Sequence, residues 1–407
     1  MSLWRRIFKR GVSLTLRAVL FLFTLSLGTT AVMLLDETSG LALTDLSSVP
    51  VQTIALQDSS AIMYAVLRDD PPSVYRSEDS GHTWHRVGVA PSLAVNALAI
   101  HPLDSEIVFA GTAGGPVTTT HNLWRSDDGG QSWHKFFLSL PSHPDGTVPS
   151  VTSLVVDAEQ PDVLYVGTDG QGVYRFNVGL DGQGFSLVGG VPYHNLRIVS
   201  LAAGFDSKIY AQAESGLFAS TDGENWQALD FPGEQLTDLA TSRLSNTIYG
   251  LSTSGQVYRS ADGGLNWIKV GQDWLTVPGA NLHGAALELN PGNDLHVVLA
   301  TAYQIDAQLV GGNVYETYNG GQSWVKIADA HGVIERLLLT PGGYVFGTDA
   351  SGLIEYETTA DASSSAWYGN WQSPSYAQIL VILLTAFIAS LVLFGKIEWL
   401  EKLQVPA

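Results

Sequence analysis

The chain contains no cysteine among its 407 residues, which excludes disulfides, zinc–thiolate sites, thiol catalysis and a lipid carried on a cysteine. Positive charge is also scarce: 20 Lys and Arg stand against 39 Asp and Glu. Five of the basic residues precede position 18 and two follow position 395, leaving 13 basic and 37 acidic residues between positions 36 and 375. Nucleic-acid binding needs a basic footprint, so that class of partner is disfavoured and none is expected. The acidity instead keeps an exposed domain soluble. The ten histidines are dispersed, with His82, His85 and His134 beside turns. No His-Glu-x-x-His, phosphate loop or Gly-x-Ser-x-Gly elbow occurs, and neither a metal nor another cofactor is expected.

What the chain has is one short motif five times over. It reads Ser77-Glu-Asp-Ser-Gly-His-Thr-Trp84, Ser126-Asp-Asp-Gly-Gly-Gln-Ser-Trp133, Ser220-Thr-Asp-Gly-Glu-Asn-Trp226, Ser260-Ala-Asp-Gly-Gly-Leu-Asn-Trp267 and Thr317-Tyr-Asn-Gly-Gly-Gln-Ser-Trp324. An Asp opening such a turn accepts bonds from backbone N–H groups a few residues on, and Gly supplies the positive φ. The key positions are Asp79, Asp128, Asp222, Asp262 and Asn319, and each Trp begins a strand with a large apolar group to bury. Asp181-Gly-Gln-Gly-Phe185 reads as a decayed copy, and a further unit holds Tyr344–Asp349, Gly352–Tyr356 and Ala366–Tyr368. Counting Phe185 and Trp367, the steps are 49, 52, 41, 41, 57 and 43 residues, the period of four-stranded propeller blades. Each unit begins with an apolar inner strand, such as Val95–Ile100, Val151–Val156 or Ile198–Ala203. The strands are nearly continuous apolar runs, as sheets covered on both faces require.

The motif resembles the Asp-box of the bacterial-neuraminidase-repeat propellers. The expected fold is all-β, a seven-bladed β-propeller over residues 51–371 preceded by a linker at 36–50. Whether Gly40–Leu46 supplies a closing strand to blade 7 is left open by the sequence.

Long hydrophobic runs stand only at the ends. Ala18–Leu35 and Tyr376–Phe394 are uncharged over 18 and 19 residues, each long enough to cross a hydrocarbon layer of about 30 Å as a helix. The expectation is one N-terminal and one C-terminal transmembrane helix. They fall in a basic segment and span at 1–35 and a linker and span at 372–396, with a tail at 397–407. Arg5, Arg6, Lys9, Arg10 and Arg17 place the N-terminus in the cytoplasm, so the propeller lies on the extracytoplasmic side of the cell membrane and both ends inside. Trp367, Tyr368, Trp371 and Tyr376 gather at the outer end of the second run, as interfacial belts do. The rival reading of the first run is a signal peptide cleaved near Thr29-Thr-Ala31.

Two functional readings follow from resemblance. Sialidases share the repeat, and the resemblance implies a Phe/Tyr-Arg-Ile-Pro start, three arginines on a substrate carboxylate, an acid Asp and a Tyr–Glu pair. The nearest match to that start is Leu196-Arg-Ile-Val199, in mid-chain and without the Pro. Arg76, Arg125, Arg175 and Arg259 recur at one strand position and read as blade architecture. No enzyme activity is expected; a glycan-binding or sialidase-like glycoside hydrolase propeller is the alternative. In whole plan the chain looks more like the photosystem II assembly/stability factor family, a single seven-bladed Asp-box propeller held at a membrane. It departs from that family in its hydrophobic tail, its missing lipidated cysteine and its acidity. The resemblance implies an assembly or stability factor, or an accessory subunit, of a membrane protein complex.

Antiparallel strands alternate in direction, so the boxes share one end of the ring. The longer connections (Leu67–Ser73, Ala113–Asn122, Ser139–Ser150, Gln272–His283, Ala302–Asn313) belong to the other end. A partner-binding face is expected there, with His121, Tyr193, His194, Arg197, Trp274, Tyr303 and Asp306 as its contact residues.

Overall fold

The computed structural model describes residues 41–358, apart from 43–45, 47–48, 58–59, 117–120, 136–139, 141, 143–144, 179–184, 191–195 and 272–278. The chain divides into two compact units, Met1–Tyr356 and Glu357–Ala407, and every described strand lies in the first. Both uncharged runs fall outside the described residues, among which no helix is long and apolar enough to cross a membrane.

Among the described residues, seven antiparallel sheets of three or more strands follow one another in sequence order. Their innermost strands are Val51–Leu56, Val95–Ile100, Val151–Val156, Ile198–Ala203, Leu236–Thr241, Asn281–Leu289 and Arg336–Leu339. Six blades have four strands in their own run of sequence, and three strands of blade 7 are described. The second strands, such as Met63–Leu67 and Val108–Thr112, are buried at every position because neighbouring blades cover both faces. Outer strands such as Val325–Asp329 are mostly wet.

The apolar core is divided among seven clusters, one at each junction between blades. Ala55, Tyr64 and Val74 meet Val95, Leu98 and Val108 between blades 1 and 2, and the pattern repeats around the ring. The seventh cluster joins Met63, Ala65 and Trp84 of blade 1 to Phe346 and Leu353 of blade 7, which closes the ring.

The N-terminal segment goes to blade 1. Leu41–Ala42 adds a fifth strand outside Thr83–Val89, with Leu41 opposite Trp84 and Ala42 opposite Thr83. That seven-residue outer strand offers an edge long enough to pair, and Leu46 then buries its side chain at the junction of blades 1 and 7. Asp181–Gly184 of the decayed copy lies outside the described residues, and Phe185 opens the outer strand of blade 3 as the spacing predicts.

One expected loop is not a loop. Within Ala302–Asn313, strands Val297–Ile305 and Gln308–Thr317 continue to a two-residue turn at Asp306–Ala307. Asn281–Leu289, which begins inside the expected Gln272–His283 loop, pairs alongside them. Tyr303 and Ile305 alternate with Gln304, and β-favouring Leu309 and Val310 continue the returning strand.

The inner strands of blades 1 to 6 each carry a register shift at the same place, between positions 51/53, 95/97, 151/153, 198/200, 236/238 and 284/286. Such bulges turn the strand and redirect side chains. Here the redirected groups bridge adjacent inner strands, which stand too far apart on the axis to pair through their backbones. The Gln52 Oε1 accepts from Val95 N–H at 3.0 Å, Asn96 donates to the Val151 carbonyl at 3.0 Å, and Ser153 Oγ accepts from Leu201 N–H at 3.0 Å. Gln212, from a second strand, donates to the Leu236 carbonyl at 2.8 Å. Around the axis lies a polar cavity of about 430 Å³.

Candidate functional site: the repeated turns and the opposite face

The five turns share one hydrogen-bond scheme. In the first, Ser77 Oγ accepts from Gly81 N–H at 2.9 Å and donates to Asp79 Oδ1 at 2.8 Å. Asp79 also accepts from the Thr83 N–H at 2.8 Å and the Thr83 hydroxyl at 2.7 Å. Asp128 treats Ser132 in the same way, Asp222 treats Asn225 and Asp262 treats Asn266. In the fifth turn Asn319 keeps the acceptor, taking Ser323 N–H at 2.9 Å, and its amide donates to the Ser323 hydroxyl instead. The bonds from Asn225 hold the Asp222 carboxyl well below the ordinary range, and those from Asn266 bring Asp262 down to about 2. Burial works against the ionised form of Asp79 and Asp128, yet the bonds from Thr83 and Ser132 outweigh it and both are lowered. Carboxylates so held are ionised acceptors with their oxygens occupied, unsuited to acid catalysis at neutral pH.

Each box leans on the preceding blade. A Cβ at Gly129 would lie 3.1 Å from the Tyr64 hydroxyl and 3.0 Å from the Arg76 guanidinium. Gly223 meets Tyr165 and Arg175 likewise, Gly263 meets Tyr210 and Lys208, and Gly320 meets Tyr249 and Arg259. The arginines stack inside their own blades, Arg76 over Tyr64 at 5.7 Å, Arg125 over Phe109 at 5.7 Å and Arg259 over Tyr249 at 5.9 Å. Tyr64 donates on to the Ser105 carbonyl of blade 2 at 2.9 Å, and Tyr249 to the Asp294 carbonyl of blade 6 at 2.8 Å. These groups join blades. Blades 6 and 7 carry the opposite charge at the arginine position. Buried Glu316 faces His296 at 3.1 Å, and Glu355 faces His82 of the first box at 3.6 Å.

The tryptophans are buried unequally. Trp84 is fully buried and donates to the Gly81 carbonyl at 2.8 Å, and Trp324 is buried with its N–H on the Val270 carbonyl at 3.2 Å. Trp133, Trp226 and Trp267 are half-buried, and the indole N–H groups of Trp133 and Trp267 have no partner. Burial is less uniform than the shared motif implies, because the neighbouring blade shields each ring to a different extent.

Tyr193, His194 and Trp274 lie outside the described residues. The other residues of the expected binding face are spread over blades 2, 4 and 6. The His121 carbonyl accepts from Trp124 Nε1 at 3.0 Å, and its ring stands edge-on to Trp124 at 6.3 Å. Arg197 bridges Asp169 at 3.1 Å and Glu214 at 3.0 Å, tying the turns of two blades together. Tyr303 is buried and accepts from Asn313 Nδ2 at 2.8 Å. Asp306 occupies the apex of the blade 6 hairpin at φ 55°.

Sequence reasoning did not single out the residues around the axis. Asp238 accepts from the Leu239 and Leu287 N–H groups, both at 2.9 Å. Burial raises its carboxyl above the ordinary range, against the opposing pull of those bonds and of Arg336. Its signal in the sequence is one acid in an otherwise uncharged strand, Leu236-Thr-Asp-Leu-Ala-Thr241. Among the described residues, no group of three or more His, Cys, Asp or Glu side chains is placed to hold a metal ion.

The architecture defines a seven-bladed β-propeller. A family model described as a DUF6242 beta propeller domain matches residues 160–350, and one described as Sortilin, neurotensin receptor 3, matches residues 72–175. Among solved structures, an ancestral GH74 enzyme is similar at 17% identity and a TM-score of 0.54, covering 77% of this chain and 45% of that one. The chain thus spans less than half the length of that enzyme. YCF48 bound to D1 peptide is similar at 16% identity and a TM-score of 0.52, covering 76% of this chain and 93% of that one. YCF48 from Cyanidioschyzon merolae gives 13%, a TM-score of 0.52, and coverages of 77% and 97%. These likenesses bear on the fold alone. No curated protein sequence matches the chain.

Proposed function

We propose that this chain is a membrane-anchored, extracytoplasmic propeller that works by protein–protein contact, as an assembly or stability factor or an accessory subunit of a membrane protein complex. The observation that carries the reading is where the ring is elaborated. At the end opposite the boxes, Gly115–Pro116 pairs with Thr147–Val148 in an added ribbon, and blade 6 extends its three inner strands. Ordered additions at one end of a rigid ring are a common way to build a contact surface. The two uncharged runs and the basic N-terminal segment support the anchoring, with residues 1–35 and 372–396 as the anchors and the cell membrane as the location. Strand Leu41–Ala42 runs antiparallel to Thr83–Val89 on the outer rim of blade 1, opposite Trp84 and Thr83 at the box end of that strand. Only residues 36–40 separate Leu41 from the first run, and five residues reach at most about 18 Å. That short tether keeps the outer rim of blade 1 near the proposed anchor.

The test is affinity purification of the full chain from gently solubilised membranes, followed by mass spectrometry. A stoichiometric membrane-protein partner, lost when 302–311 is replaced by a tight turn, is expected. Recovery of the chain alone would overturn the reading.

The fold likeness to a GH74 enzyme favours a second reading, a glycan-binding or glycan-cleaving propeller. Hydrolysis of fluorogenic sialosides or aryl glycosides that vanishes in Arg197→Ala would establish it.

A further inference from the structure

Blade 6 has an edge that its own outer strand does not cover. Pairing with Val325–Asp329 reaches Asn313 opposite Asp329, and one further bond runs from Ala330 N–H to the Gly312 carbonyl at 3.0 Å. Beyond it, Gln308–Val310 continues to pair inward with Tyr303–Ile305, and among the described residues no strand lies on its outer side. In a two-residue hairpin the flanking positions, here Ile305 and Gln308, form the narrow hydrogen-bonded pair. Bonding then alternates, so the N–H and C=O of Leu309 point to the open edge. Large apolar side chains surround it in solvent: Ile305 is 44% exposed, Leu309 52% and Val310 37%. Exposed Asp306 and Asp329 stand at the two ends of this edge, Asp329 also holding Lys326.

We propose that this edge takes up an extended, positively charged segment of another protein by strand addition. The inference rests on the protein-contact reading and names the kind of partner for its face. Strand addition draws affinity from main-chain bonds and specificity from alternate side chains. The edge supplies the first through Leu309 and the second through Ile305, Val310 and the two carboxylates. Charge decides among the occupants. A second copy would bring Asp306 and another strongly acidic propeller against the first, and an anionic bilayer would meet a carboxylate at the hairpin apex. A basic polypeptide is attracted by both.

The full chain in lipid nanodiscs is titrated with a labelled six-residue peptide alternating lysine and valine, and with its glutamate–valine counterpart. Saturable binding of the lysine peptide alone is expected, weakening as salt screens the carboxylates. Leu309→Pro removes the outward N–H and Val310→Lys places a charge on the edge; each is expected to weaken binding about tenfold or more. No binding, equal binding of both peptides, or binding unchanged in both variants would overturn the proposal. So would dimerisation abolished by Val310→Lys, or blue-shifted emission from Leu309→Trp in nanodiscs without peptide, which would assign the edge to a second copy or to lipid. If wild type and Leu309→Pro pull down the same membrane partner equally, the edge is wrong and the protein-contact reading stands. If wild type pulls down nothing, that reading falls as well.

Discussion

The Asp238 carboxylate in blade 5 accepts the backbone N–H of Leu287 in blade 6 at 2.9 Å, across a gap that no backbone ladder spans. Its other oxygen takes the N–H of Leu239 at the same distance. Asp238→Ala leaves both donors unpaired and is expected to destabilise by about 1–3 kcal/mol. Burial raises this carboxyl, so the folded state takes up its proton more readily than the unfolded state. The stability linked to that proton is therefore present below the unfolded pKa and lost as pH rises through the folded one. The deficit of the alanine variant should widen as pH falls from neutral toward about 4, measured by denaturant melts.

Asp262 is expected to respond in the opposite sense. Its carboxyl is lowered to about 2 by bonds that exist only in the folded turn. Its contribution is full above the unfolded pKa near 4 and disappears as pH falls through about 2. Asp262→Ala is expected to cost about 1–2 kcal/mol at neutral pH, a value discounted for the exposure of the turn. The cost should shrink steadily below pH 4, and a constant cost would show that the carboxylate's charge plays no part.

Ser80 stands where the other boxes place glycine. Its φ is 61°, close to 66° at Gly129 and 69° at Gly320. A side chain in this left-handed conformation costs about 1–2 kcal/mol, part of which glycine gives back in entropy. Ser80→Gly should raise stability by about 0.5–1 kcal/mol. A loss would mean that the serine makes a compensating contact.

Trp84→Ala should be the costliest box substitution, at about 3–5 kcal/mol, since the ring is fully buried at the closing junction. Trp267→Ala should cost visibly less, its ring being half-buried with an unpaired N–H. Equal losses in thermal melts would refute the ranking.

The fold was legible because the box repeats itself. Turn chemistry at Asp79 or Asp262 is local, and the residues from Ser to Trp contain nearly all of its bonding partners. The inner-strand bridges were not legible, because Gln52, Asn96 and Ser153 find their partners roughly fifty residues away and look like ordinary polar residues in apolar strands. The role of Arg76, Arg125 and Arg259 was legible as architecture from their recurrence. The place of Leu41–Ala42 was open, since two residues carry no periodicity and any exposed edge would serve. The blade 6 hairpin was misread as a loop because Asp306 and the paired Gly311-Gly312 punctuate a run that the structure continues as strand.

A core parcelled into seven junctions for seven blades has no terminal unit. A linear repeat array frays from its ends and tolerates the loss of an outer member; here every blade has two neighbours, and removing any one breaks two seams at once. Unfolding should therefore be all-or-none around the ring, and the seam between blades 1 and 7, where Leu46 sits beside Trp84, is where the two ends of the strand order are fastened together. Tension arriving through the N-terminal side of the chain would reach Leu41–Ala42 and then this fastening, so the ring's closing clasp lies next to its tether in the sequence.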